Sequence, residues 1–370
     1  MIIGIPKEIK ADEYRVGATP QNVNYWVSEG HKVYIQSTAG EGSGFDDEEY
    51  RQNGATILPT IADLYAKSTL IVKVKEPQPL ECTLLDENHI LFCYLHLASS
   101  QELTKALLQK KVRAIAYEAV NKNGELALLK PMSEIAGKSA VISGAYYLSR
   151  YQGGGGVLIG GALGVANAKV LIIGAGNAGR DAAKYAVGLD GDVTVINRST
   201  SKLESLKDIL PSIKTEVYSP QRFEELLYQS DLVISSVLLP GGFAAPKLIT
   251  LEMLSKMKKG SVFVDISIDQ GGTAQSSRAT THSNPIYIED GVVHYCVANI
   301  PGAYPKTATL AITNATAPYV NLLATEGFEN AVQKDKSLYE GVNIYKEHLT
   351  NEAVANLFDI EYKELDEVLE

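Results

Sequence analysis

Three glycines, Gly174, Gly176 and Gly179, stand in the string GAGNAG, directly after the apolar run VLII and directly before the helix-like stretch GRDAAKYAVGLD. In that context they have a definite chemistry. The first allows a tight turn, the second lets a pyrophosphate approach the backbone, and the third lets the helix pack on the strand, while the helix amides favour the negative charge. The next apolar run, DVTVIN, ends roughly 20 residues beyond the first glycine, where a dinucleotide-binding unit recognises the adenosine ribose. Here that end reads Asn197-Arg198, with Lys202 shortly after, and carries no acidic residue. Asn197 can hydrogen-bond a ribose hydroxyl without charge, whereas Arg198 and Lys202 can either attract a 2′-phosphate or lie on a solvated surface. The spacing therefore predicts a dinucleotide and leaves NAD and NADP both open. A second glycine-dense string, GGGGVLIGGALG, lacks the Gly-Lys-Ser/Thr ending of a triphosphate loop and reads as a flexible or closely packed connector.

Four other residues have types suited to acting on a small polar substrate. Arg15, in DEYRVG, can clamp a carboxylate through two parallel hydrogen bonds or serve as a surface guanidinium. Lys75 closes LIVKVKEP and can oppose negative charge on a carboxylate or carbonyl oxygen. Its neighbour Lys73 competes for that role on strand parity. His96, in FCYLHLAS, is either a satisfied histidine at a core edge or a group that exchanges protons near neutral pH. Asp269 lies between VDISI and QGG, where it either caps a turn or meets a substrate ammonium. Asp265 shares its parity, so strand alternation does not separate the two. The other histidines lack a comparable setting, and no His/Cys/Asp/Glu spacing suggests a metal.

Elements that could position these residues are legible as alternation. MIIGIP, HKVYIQS, TLIVKVKEP, HILFCYLHLA and VRAIAYEAV read as strands, with TPQNVNYWVSEG and SQELTKALLQKK as helices between them. After NKNGELALLKPMSE a second series begins, with strands KVLIIGAG, GDVTVINR, SDLVISSVL and GSVFVDISID separated by helical stretches. The pattern predicts an α/β fold with two Rossmann-like domains, each a doubly wound, largely parallel sheet covered by helices. The remaining chain, mainly helical in character, is expected to return to the first domain. That gives a substrate domain of residues 1–130 plus 305–370 and a dinucleotide-binding domain of residues 131–304.

The strings GIPKEIKADEYRVGATP, LIVKVKEP, FCYLHLAS, LLKPMSEIAG, SVFVDISIDQGG and VANIPGAYPKTAT, in that order, resemble the alanine dehydrogenase/nicotinamide nucleotide transhydrogenase family, and its L-alanine dehydrogenases in particular. The likeness covers almost the whole chain. It implies a formate/glycerate-dehydrogenase-like arrangement and reversible NAD-dependent oxidative deamination of L-alanine to pyruvate and ammonium, in a homo-oligomer that is commonly a hexamer. It also assigns Arg15 and Lys75 to the substrate carboxylate, and His96 and Asp269 to proton transfer, leaving Lys73 a solvated or ion-paired residue. Ser133, Val237, Leu238 and Asn299 fall at cofactor-contact positions, with Met132 near the nicotinamide. On the residues alone, Ser133 is equally a helix cap, Val237 and Leu238 core, and Asn299 a turn residue. Two other readings stand beside this one: a nucleotide-binding component of a proton-translocating transhydrogenase, which exchanges hydride with a second dinucleotide, and a sensor that binds NAD(H) without turnover.

Composition narrows the partners. With 34 Lys and Arg against 44 Asp and Glu, the 370-residue chain carries a formal net charge of −10, which opposes binding to nucleic acid or anionic lipid. Its three cysteines fit no disulfide framework and suit a reducing compartment. No signal-peptide hydrophobic region or membrane-length apolar run is evident, so a cytoplasmic location is expected.

Overall fold

The apolar runs form strands whose side chains are buried on both faces, as a helix-covered parallel sheet requires. In the computed structural model, which describes residues 1–237, 239 and 244–369, the chain forms two units, residues 1–132 with 304–370 and residues 133–303. Leu238 lies outside the described residues. Along the chain run β1 (Ile2–Ile5), β2 (Lys32–Gln36), β3 (Thr56–Leu58), β4 (Leu70–Val72), β5 (Ile90–Cys93), β6 (Arg113–Ala116) and the short pair β7 (Asn121–Lys122) and β8 (Glu125–Leu126). There follow β9 (Lys169–Ile173), β10 (Asp192–Asn197), β11 (Lys214–Val217), β12 (Leu232–Ser235), β13 (Val262–Asp265), β14 (Ile286–Glu289) and β15 (Val292–Tyr295), and finally β16 (Val342–Tyr345) and β17 (His348–Leu349).

The first unit's sheet has the order β17-β16-β6-β5-β4-β1-β2-β3. Strands β1 to β6 pair in parallel, and β16 and β17 add antiparallel at one edge. From β1 the chain winds outward through β2 and β3, then crosses back to β4 and winds the other way. The reversal point therefore lies at the carboxyl ends of β1 and β4, where such sheets open a crevice for ligands. A core centred on Leu64, Ile71, Leu91, Leu107, Ala114 and Ile344 packs beneath this sheet.

The second unit repeats the plan in the order β11-β10-β9-β12-β13-β15-β14, with its reversal between β9 and β12. All pairs are parallel except the hairpin of β14 and β15, whose two-residue turn, Asp290-Gly291, has positive φ at both positions. Two buried clusters cover its faces, one including Val170, Ile172, Ala182 and Val195 and the other Leu171, Phe223, Val233 and Phe263.

The sheets are thus mixed at their edges, where the sequence pattern indicates parallel strands alone. Several elements are also shorter than their apolar runs. The strand predicted over TLIVKVKEP ends at Val72, because Lys73 is drawn into a buried ion cluster and the amides of Val74 and Lys75 turn to the Glu8 carboxylate. The glycine-dense connector is held in places by close backbone contacts: the Gly155 amide donates to Gly260 and the Gly156 amide to Leu148. Among the described residues no helix is long and apolar enough to cross a membrane.

Candidate active site

Three of the four substrate-side residues follow neighbouring strands of the first sheet. Arg15 lies in the loop after β1, Lys75 just beyond β4 and His96 just beyond β5, and these strands are adjacent in the order β5-β4-β1. The reversal point so gathers three chemically active side chains from residues far apart in sequence.

Arg15 is no surface guanidinium: it is 2 % exposed. Its Nε donates to Glu13 Oε1 at 2.7 Å, its Nη2 donates to Glu13 Oε2, and its Nη1 faces Met132 Sδ at 3.2 Å. Glu13 also accepts the Arg15 amide, so the acid fixes both the backbone and the side chain of the arginine. Burial pushes the Glu13 carboxyl up, but the Arg15 charge, its hydrogen bonds and the nearby Lys75 overcome this and hold it at about 2. Glu13 is therefore an anion at any pH of interest. The sequence offered only the acid two positions before the arginine as a signal for it.

Lys75 is buried, and its amide leans on Glu8 Oε1 at 3.3 Å, beside the stronger bond from Val74 at 2.6 Å. Lys73, its rival on parity, is fully buried and sits between Glu8 Oε2 at 3.2 Å and Glu81 Oε2 at 2.9 Å. Burial lowers the Lys73 ammonium, yet the two carboxylates raise it further, so it stays charged. Glu81 also accepts the Tyr65 hydroxyl at 3.0 Å. Lys73 is thus committed to an internal ion cluster and ion-paired instead of solvated.

His96 is not on a strand. Its backbone is left-handed, with φ 47° and ψ 39°, a conformation uncommon for a residue with a side chain. The Glu118 carboxylate holds it there, accepting the His96 amide at 2.6 Å and the Leu95 amide at 3.2 Å. The imidazole stacks on Tyr94, with ring centroids 5.8 Å apart and planes 15° from parallel, and the Tyr94 hydroxyl is fixed by a 2.6 Å bond to the Leu128 carbonyl. Glu76 links the group electrostatically: burial raises its carboxyl, but Lys10, Lys75 and His96 draw it below its ordinary value.

In the second unit the fingerprint glycines divide their work as the chemistry demands. Gly174 has φ +106° and turns the chain out of β9. A Cβ on Gly179 would fall 2.0 Å from the Gly174 carbonyl, so the helix Asn177–Gly188 can approach only without one. A Cβ on Gly176 would meet nothing within 4 Å: it would project into the open space that a pyrophosphate needs. The residues present fit a dinucleotide. Asn197, at the end of β10, receives the Ala175 amide on Oδ1 at 3.4 Å and donates from Nδ2 to the Ser199 carbonyl at 3.2 Å, so it ties the loop to the strand. Arg198 and Lys202 are exposed.

Asp269 and Asp265 separate cleanly. Strand β13 stops at Asp265, which is buried and accepts the amides of Ser267 and Thr273 and the Ser277 hydroxyl, a structural knot. Asp269 lies beyond it on a short helical turn, Ile266–Gln270, exposed and without a hydrogen-bond or ion-pair partner among the described residues. Asn299 has φ 70°, and its carbonyl accepts the Gly302 amide and faces His282 Nε2, which makes it a turn organiser. Ser133 is partly buried inside the helix Lys130–Tyr147 and does not cap it, since the helix begins three residues earlier. Val237 is partly buried against the second unit's core. Met132 packs on Arg15. Among the described residues no group of three His, Cys, Asp or Glu side chains is placed to hold a metal.

Comparison with known proteins places this geometry. Residues 4–136 match the family model described as alanine dehydrogenase/PNT, N-terminal domain, and residues 140–352 match its C-terminal domain. An alanine dehydrogenase of Halomonas elongata is 48% identical over 366 residues, covering 98% of each chain, and alanine dehydrogenase 2 of Staphylococcus aureus (strain USA300) is 46% identical over the full length of both. Among solved structures, an L-alanine dehydrogenase superposes with a TM-score of 0.92 at 43% identity, covering 97% of this chain and 99% of the other. A transhydrogenase from Sinorhizobium meliloti shares the fold, with a TM-score of 0.82 at 24% identity over 94% of this chain and 100% of the other. The chain belongs to the alanine dehydrogenase/PNT family.

Proposed function

We propose that this protein is an NAD-dependent enzyme that reversibly converts L-alanine and water to pyruvate and ammonium. The observation that carries the reading is the full-length likeness to alanine dehydrogenases combined with Arg15, Lys75 and His96 at three adjacent strand ends. The fingerprint Gly174, Gly176 and Gly179 would hold the cofactor's pyrophosphate, with Asn197, Arg198 and Lys202 toward the adenosine and Ser133, Val237, Leu238 and Asn299 as further contacts. When bound, the nicotinamide accepts a hydride from the substrate Cα.

The chain's own residues do the rest. Arg15, steered by Glu13, offers its remaining N–H edge to the substrate carboxylate, and Lys75 adds a second positive charge. Fixing the carboxylate fixes Cα and removes unproductive orientations. Loss of hydride leaves a substrate imine. His96 takes a proton from the water that adds to the imine carbon and returns it to the departing nitrogen, which leaves as ammonia and becomes ammonium. Asp269 is assigned the second acid/base or ammonium-orienting role on its place in the string VDISIDQGG. The three cysteines are free and buried, which suits a cytoplasmic enzyme, and the family likeness supports a homohexamer.

The test is a paired assay: L-alanine with NAD, and pyruvate with ammonium and NADH, followed by nicotinamide absorbance. No turnover in either direction overturns the reading. Hydride exchange between two dinucleotides without alanine would favour a transhydrogenase component instead.

A further inference from the structure

A site built for NAD places a carboxylate at the end of the second strand of its dinucleotide unit, where it accepts the ribose hydroxyls and repels a phosphate. This chain has Asn197 there, and both ends of its amide are engaged inside the protein, with Ala175 and Ser199. The group that would reject a 2′-phosphate is absent, and its replacement is a neutral strut tied to the pyrophosphate loop.

The next side chain supplies the opposite charge. The Arg198 guanidinium lies 5.7 Å over the Tyr218 ring, and Tyr218 is itself fixed by packing on Phe223 at 5.7 Å and by its amide bond to the Asn197 carbonyl at 3.0 Å. Held on an aromatic base, the guanidinium keeps its planar fork of donors for an anion. Arg198 has no carboxylate partner among the described residues, although the chain carries a net charge of −10 and six other arginines form ion pairs. The nearest acid toward its ring partner, Glu216, is already bound to Arg222 at 2.7 Å. Lys202, one helical turn on, is exposed and likewise has no ion pair among the described residues.

We infer that the end of β10 is a 2′-phosphate site formed by Arg198 and Lys202, and that this protein binds NADP(H) there at least as tightly as NAD(H). The inference deepens the proposed function and rests only on its dinucleotide site, not on the identity of the amino-acid substrate.

The experiment is equilibrium binding of NADPH and NADH to the full-length protein, read by nicotinamide fluorescence without alanine or pyruvate, with adenosine 2′,5′-bisphosphate and AMP as competitors. NADPH should bind at least as tightly as NADH, and the bisphosphate should compete better than AMP. Charge-assisted hydrogen bonds to a phosphate are worth about tenfold or more in affinity, so Arg198→Ala should lower the NADPH-to-NADH affinity ratio by about tenfold. Asn197→Asp should lower it in the same direction by restoring the repelling carboxylate. NADH binding more than about tenfold tighter than NADPH in the unaltered protein overturns the inference, as does a ratio that Arg198→Ala shifts by less than about threefold. Because no amino acid is present, failure of alanine turnover leaves this result intact, and failure here leaves the alanine reaction intact.

Discussion

Glu118 grips the backbone of His96. Its Oε1 accepts the His96 amide at 2.6 Å while Oε2 takes the Leu95 amide at 3.2 Å, and the pair holds His96 in a left-handed conformation beneath the Tyr94 ring. Glu8 does the same for Val74 and Lys75. The two acids are related by topology: Glu8 follows β1, the neighbour of β4, and Glu118 follows β6, the neighbour of β5. Each site-bearing strand thus has the amides at its end taken up by a carboxylate from the strand beside it.

Glu118 therefore acts as a positioning residue. Glu118→Ala is expected to lower kcat by about 10- to 100-fold, the worth of one to two hydrogen bonds to a charged acceptor, while changing KM for alanine less than about threefold. Glu118→Gln keeps one acceptor and should fall between the two. Steady-state kinetics across pH provide the check, because a displaced imidazole changes the pH profile of kcat. A lower melting temperature with unaltered kcat and pH profile would refute the positioning role.

The Glu13–Arg15 pair makes stability depend on acid. The Glu13 carboxyl is depressed from its ordinary 4.5 to about 2 in the folded protein. A depressed carboxyl contributes stability that is complete above the unfolded value and is lost as pH falls through the folded one. The contribution is of the order of 3 kcal/mol, lost between about pH 4.5 and pH 2. Urea unfolding over that range should show the fall, and Glu13→Gln, less stable at neutral pH, should lack this part of it. Parallel slopes for the two proteins would contradict the account.

Lys73→Ala is expected to destabilise the first unit by about 3–5 kcal/mol, since it leaves Glu8 and Glu81 buried without their cation. Thermal melting measures it. A surface lysine changes stability by no more than about 0.5 kcal/mol when removed, and such a result would place Lys73 outside the cluster described.

Two glycine substitutions separate folding from cofactor binding. Gly176→Ala projects a methyl group into open space, so the melting temperature of the free protein should hold while NADH affinity falls by about tenfold or more. Gly179→Ala drives a Cβ into the Gly174 carbonyl and should lower both. Equal affinity of Gly176→Ala and the unaltered protein would show that nothing approaches that backbone.

The dinucleotide loop was legible in the sequence because its signal is local: an apolar strand, three spaced glycines and a helix. Arg15, Lys75 and His96 were legible as strand-end residues and as matches to a family's strings. Glu8, Glu13 and Glu118 were not, because their partners are backbone amides and a buried guanidinium that become neighbours only on folding. Strand β16, in a stretch of helical character, was missed for a similar reason: VNIY pairs antiparallel with β6, far away in sequence. Parity did not separate Asp265 from Asp269, since the strand ends at the former and alternation carries no information past it.

The three strand ends bearing Arg15, Lys75 and His96 are set apart by the interval between hydrogen-bonded strands, about 4.8 Å. That pitch belongs to the peptide backbone and is common to every parallel sheet. Substitution can change what hangs from these ends but not their spacing, so the sheet acts as a fixed ruler for the part of the substrate it holds. Any broadening of the range of accepted amino acids must then come from the walls around that ruler, leaving the grip on the carboxylate as it is.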